Sequence, residues 1–195
     1  MSYRCIAFDF DGTLVRSNQV KRIRLYDTVA DIPAAAAILD DMHDEGLPGD
    51  RYDIFRELCR RLDLRGDLKA EQFVHRYGQL CHQSLLECDE VPGALAALGE
   101  LKQSERSLYI VSATPQVDLV PIVSGRGLTP FFKAILGRPT GKVEHLEAIL
   151  RTEQLQPKSL VMIGDGKDDQ AAAIAIGCHF IAVTDDPLAP LSGDH

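Results

Sequence analysis

From Val91 onward the chain alternates short apolar runs with helical patterns, and that alternation constrains the fold more than any other feature. Strands are expected at Ser107 to Val111, Lys133 to Leu136, Ser159 to Ile163 and His179 to Val183, with helices starting near Pro115, Lys142 and Asp169. A helix between consecutive strands makes each connection a crossover, so the sheet is expected to be parallel and the fold class α/β. A further strand, about Tyr3 to Asp9, opens the chain. Ligands of such sheets bind beyond the carboxyl ends of the strands, where strand order reverses.

The region between the first strand and Cys88 interrupts this pattern. It holds no convincing β run but several helix signals. Asp31-Ile32-Pro33 opens a helix that Glu45-Gly46 closes; Asp50 is a good N-cap for a second, with Ile54, Phe55, Leu58 and Leu62 on its apolar side. Asp67 begins a third that runs through Phe73, Tyr77 and Leu80 to Leu85. Residues 16–87 are therefore expected to form a helical insert, and residues 1–15 with 88–195 the sheet-bearing domain. From Asp185-Asp186-Pro187 the chain reads as a loosely ordered tail.

Composition excludes several classes of function. A chain of 195 residues can bury a real apolar centre, and its net charge of −8 argues against nucleic acid or an anionic membrane as partner. No stretch approaches the roughly 18 apolar residues of a membrane helix, and Asp9 cuts the N-terminal apolar run too short for a secretory signal, so a cytoplasmic location is expected. The five cysteines form no CxxC pair and read as reduced structural thiols. An anionic substrate would need a local positive site within this acidic surface, made by one or two cations, a metal and helix N-termini.

The chemistry-bearing residues lie at the expected strand ends. Asp9-Phe10-Asp11-Gly12-Thr13 follows the apolar run Cys5-Ile6-Ala7-Phe8, so two carboxylates leave a strand on a glycine turn. A carboxylate can attack phosphorus, and its neighbour can handle a proton. Ser112 ends the second strand; Lys142 opens a helix, where a cation opposes the dipole unless an anion pairs with it. Gly164-Asp165-Gly166-Lys167-Asp168-Asp169 ends another strand in oxygen ligands suited to a hard cation. Taken singly, Ser112 reads as a plain N-cap, and Lys142 as a solvated surface charge.

Together these segments resemble the motifs of haloacid dehalogenase-like phosphohydrolases, whose signature DxDGT matches Asp9 to Thr13. The resemblance implies a Rossmann-like three-layer core with a five-stranded parallel sheet in the order 5-4-1-2-3, plus an all-helical cap inserted after the first motif. It implies that Asp9 is the nucleophile, that Asp11 is the acid and base, and that Ser112, Lys142 and Asp169 complete the catalytic set. Magnesium would be held by Asp9, by the main-chain carbonyl of Asp11 and by Asp165. Gly12, Thr13, Ser112, Ala113 and Lys142 would bind the phosphoryl group.

Asp11 favours phosphate ester chemistry over dehalogenation, because dehalogenases with this core lack an acid at that position. The implied activity is a magnesium-dependent phosphatase acting on a small phosphorylated metabolite through an aspartyl phosphate, as a monomer or homodimer. A sugar phosphate mutase keeps both acids and is the alternative; a phosphoacceptor signalling module disagrees in the order of its motifs. Arg51, beside the break at Leu47-Pro48-Gly49, would hold a second anionic group of the substrate or is an ordinary first-turn surface charge. Segments near Leu14 to Ser17 and Asp89 to Gly93 are the expected hinges.

Overall fold

The structure is a computed structural model that describes residues 3–47, 49–64 and 67–184. The tail from Asp185 and residue Pro48 lie outside the described residues. The chain divides into two compact units, one containing residues up to Ser17 and from Cys88 onward, the other Asn18–Glu87.

The first unit is built on strands β1 (Cys5–Phe8), β2 (Ser107–Pro115), β3 (Ala134–Arg138), β4 (Leu160–Gly164) and β5 (His179–Ala182). All neighbours pair in parallel in the order β3-β2-β1-β4-β5. This is the order expected from the resemblance. β1 is central, and all four of its residues are buried, which its unbroken apolar sequence requires of a strand covered on both faces.

Because side chains alternate along a strand, Cys5 and Ala7 share one face with Tyr109, Val111, Leu160 and Met162. That face packs with Leu146 and Ile149 of helix α7 (Lys142–Glu153) and with Ala172 and Ala173 of α8 (Lys167–Ile176). Ile6, Phe8, Leu108, Ile110 and Val161 point the other way and are also buried. Helices α5 (Ala94–Lys102) and α6 (Gln116–Gly125) contribute buried Leu98, Leu119, Ile122 and Val123 to this unit. Each such side chain removed from water stabilises the fold by about 1.5–3 kcal/mol.

The second unit contains α1 (Asn18–Thr28), α2 (Ala35–Glu45), α3 (Arg51–Arg61) and α4 (Asp67–Glu87). Asp50 caps α3 as expected: its carboxylate accepts from the amides of Tyr52 and Asp53, while Asp53 accepts from the amide of Asp50. Phe55 sits at the centre of an aromatic cluster, 5.8 Å from Phe73 and 5.7 Å from Tyr77 between ring centroids. Helix α1 is the element that the apolar pattern does not announce. Its Ile23 is half exposed, and of its residues only Leu25 and Thr28 are buried, so no stripe at helical spacing forms.

The two connections into the helical unit pair with each other inside the first unit. Val15 bridges Glu90 antiparallel, Arg16 donates its amide to Asp89, and Val91 donates to Leu14. The side chain of Arg126, 7% exposed, donates to the Cys88 carbonyl at 2.8 Å and fastens the return connection to the end of α6.

Candidate active site

Asp9 continues the sheet beyond β1, since its amide donates to Ile163 on β4. The chain then turns at once. Phe10 is fully buried, Gly12 adopts a φ of +72°, and the amides of Leu14 and Val15 both donate to the Phe10 carbonyl. A left-handed φ at the turn is the conformation glycine tolerates without strain.

Asp9 is buried, and its Oδ2 lies 3.5 Å from the Lys142 ammonium. Its Oδ1 is also buried but has no hydrogen-bond partner among the described residues. Lys142 is held further by Asp168 at 2.8 Å and by Asp169 at 2.5 Å. Asp169, fully buried, accepts the Gly166 amide with its other oxygen. Burial pushes the Asp9 carboxyl far above its usual range, with Lys142 opposing and Asp169 and Asp11 adding to the rise. Burial would lower the Lys142 ammonium, yet the carboxylates of Asp9 and Asp169 outweigh it and leave the group raised. Carboxylates outnumber the cation in this cluster.

That surplus suits a metal. Oxygens of Asp9, Asp165 and Asp169 lie within 4.8 Å of one another, with Asp165 exposed to solvent. The orphaned Oδ1 of Asp9 and an all-oxygen donor set fit a hard divalent cation. Asp9 and Asp165 of the expected ligand set are in this grouping, and Asp169, which also holds Lys142, is its third carboxylate. The Asp11 carboxylate faces elsewhere, accepting from Ser17 Oγ and from Thr114 Oγ1, each at 2.7 Å. Thr13 is buried and donates to Asp165 at 3.4 Å.

Ser112 is buried near the end of β2, where its Oγ accepts the Thr114 amide at 3.1 Å. Ala113, between them, is exposed. Ser112, Ala113, Arg138, Thr140, Gly141, Lys142, Glu144 and Asp168 are among the residues lining a cavity of about 310 Å³. That volume admits a small phosphorylated molecule. Arg51 belongs to the other unit, where its guanidinium lies 5.2 Å over the Tyr77 ring.

Ser17, Thr114 and Asp168 are the contacts that sequence reasoning did not use. Ser17 and Thr114 each precede a helix and so look like ordinary caps, and their approach to Asp11 depends on how the strand ends meet. Asp168 has no separate role in the sequence pattern; in the structure it is one of three carboxylates around Lys142.

A five-stranded parallel sheet in this order, with a buried carboxylate-lysine cluster at the ends of its strands, is a Rossmann-like α/β architecture. The chain belongs to the haloacid dehalogenase-like hydrolase family, whose pattern matches residues 6–183. Among curated proteins it is similar to the phosphoglycolate phosphatase of Colwellia psychrerythraea, at 29% identity over 92% of this chain and 83% of that one. The phosphoglycolate phosphatase of Vibrio cholerae is 26% identical over 94% of this chain and 85% of its own length. Among solved structures, a haloacid dehalogenase-like family hydrolase from Streptococcus pneumoniae superposes with a TM-score of 0.68, at 22% identity over 93% of this chain and 85% of that one. A Haemophilus somnus protein predicted to be a phosphoglycolate phosphatase gives a TM-score of 0.76, at 21% identity over 93% and 85%.

Proposed function

We infer that this chain is a phosphatase that hydrolyses a small phosphate monoester through a phosphorylated Asp9. The observation that carries this reading is the pairing of Asp9 with Lys142 at 3.5 Å beside an Oδ1 that has no hydrogen-bond partner among the described residues. In the first step an Asp9 oxygen attacks phosphorus in line, the bond from phosphorus to the ester oxygen breaks, and Asp11 delivers a proton to that oxygen. In the second step water attacks the same phosphorus, Asp11 takes the proton released, and the Asp9 carboxylate leaves as it began.

Lys142, the Ser112 hydroxyl and the turn amides at Gly12 and Thr13 would offset charge on the non-reacting phosphoryl oxygens. Ser17 and Thr114 orient Asp11 by holding both of its oxygens. Asp9, Asp165 and the Asp11 carbonyl are the residues we assign to magnesium, with Asp169 beside them fixing Lys142. When bound, the ion would neutralise phosphoryl charge and draw the nucleophile and phosphate together.

Phosphoglycolate is the first substrate to test, because the curated relatives carry that activity in their names. We assign residues 18–87 the role of a substrate-selecting cap in a cytoplasmic enzyme, with Arg51 as the contact for a second anionic group. Phosphate release should be measured with and without magnesium across phosphoglycolate, sugar phosphates and nucleotides, and repeated with Asp9→Asn. Metal-independent turnover would contradict the assigned site.

A further inference from the structure

We propose that Gln116 and His145 are positioning residues that clamp Gly137 and so hold Lys142 against Asp9. The need for a clamp begins in the sheet. Val111 pairs with Leu136 and Pro115 with Arg138, so three residues of β2 stand opposite the single residue Gly137. An irregularity of that size takes Ser112, Ala113 and Thr114 out of register and turns them toward other partners. The ladder at the end of β3 loses its rungs there.

The Gln116 side chain replaces them. Its Oε1 accepts the Gly137 amide at 2.5 Å, and its Nε2 donates to the Ile135 carbonyl at 2.9 Å. On the other side, His145 Nε2 donates to the Gly137 carbonyl at 3.0 Å. Both polar groups of one peptide residue are thus held by side chains from two helices. Space is equally constrained: a Cβ on Gly137 would come within 2.5 Å of the Thr114 carbonyl oxygen and 2.9 Å of the Gln116 amide nitrogen.

Four residues separate Gly137 from Lys142, and Lys142 begins α7. Gly141, at the N-cap of that helix, supplies no side-chain hydrogen bond to its first turn. His145, buried one turn into α7, ties this turn directly to the end of β3. The loop between them carries the lysine whose distance from Asp9 matters. Displacement of a charge-stabilising group by about 1 Å can cost on the order of a hundredfold in rate.

The kinetic side of the test rests on the phosphatase reading, and a second readout does not. His145→Phe keeps a ring and loses the donor, whereas His145→Gln keeps a donor nitrogen at the corresponding place. Relative to the parent, kcat should fall about tenfold to a hundredfold in His145→Phe, with a smaller change in KM, and recover most of that loss in His145→Gln. In a Lys142→Met background, His145→Phe should produce no further loss, because the effect passes through the lysine. Amide exchange at residues 137–142 should quicken in His145→Phe and return toward the parent rate in His145→Gln, while exchange in β1 stays unchanged.

Should His145→Phe fail to fold, Gln116→Leu removes the opposite pair of bonds and is read in the same way. Equal losses in both lysine backgrounds, or unaltered exchange at 137–142, would overturn the clamp. A parent enzyme without phosphatase activity would instead overturn the functional reading, and the exchange comparison would still decide for or against the clamp.

Discussion

The Lys142 ammonium stands 3.5 Å from the Asp9 carboxylate in a pocket where each side chain is 9% exposed. Without Lys142 the buried carboxylates of Asp9 and Asp169 lose their cation, and a buried charge stripped of its partner costs about 3–5 kcal/mol. Lys142→Met should therefore lower the unfolding free energy measured without metal, and saturating magnesium should restore part of it by replacing the missing positive charge. The same substitution should lower kcat by about a hundredfold or more, because the ammonium faces charge that grows in the transition state. Urea unfolding with and without magnesium, alongside steady-state kinetics, checks both effects.

Metal binding should also be visible without turnover. A cation that binds only the folded chain raises its stability by about 2.7 kcal/mol at a hundredfold excess over Kd. The melting temperature of the parent should therefore stay flat below Kd and rise with the logarithm of the magnesium concentration above it. Asp165→Asn should shift this titration to higher concentration, since Asp165 is the exposed member of the carboxylate group. An identical titration in the variant would remove Asp165 from the ligand set.

Asp11 is oriented by Ser17 and Thr114, each 2.7 Å away. A hydrogen bond to a charged acceptor contributes about 1.5–3 kcal/mol, so Ser17→Ala or Thr114→Val should slow turnover by roughly ten- to a hundredfold. The loss should be larger for alkyl phosphates than for p-nitrophenyl phosphate, whose leaving group needs no proton. Comparison of kcat for the two substrate types provides the check.

Much of this architecture is legible in the chain because each strand is a short apolar run ending in polar residues of defined chemistry. The runs at Cys5 to Phe8 and Leu160 to Ile163 are buried on both faces, so their composition alone distinguishes them from half-exposed strands. Helix α1 is not legible, since Ile23 stays half exposed and no apolar stripe forms. Nor are Ser17, Gln116 and His145, whose partners are set by how separate elements meet. Thr114 reaches Asp11 across 103 residues of sequence, and no local spacing encodes that approach.

Alkaline pH should destabilise the fold. Burial pushes the Cys5 thiol up to about 12 from 9.0, and burial together with Glu153 raises the Tyr109 phenol. Both groups stay neutral in the folded chain at a pH where the unfolded chain has released its protons. Their stabilising contribution is therefore complete below about pH 9 and declines as pH climbs from 9 toward 12. The urea midpoint should fall over that window, and Tyr109→Phe should flatten the decline.

Whether Asp9 carries the phosphoryl group is measured directly by quenching the first turnover of a labelled phosphate ester with acid and locating the label by peptide mapping. Label is expected on the peptide containing Asp9, released on chase with unlabelled substrate and lost in Asp9→Asn. Rapid turnover by Asp9→Asn, or label confined to a peptide without Asp9, would contradict it.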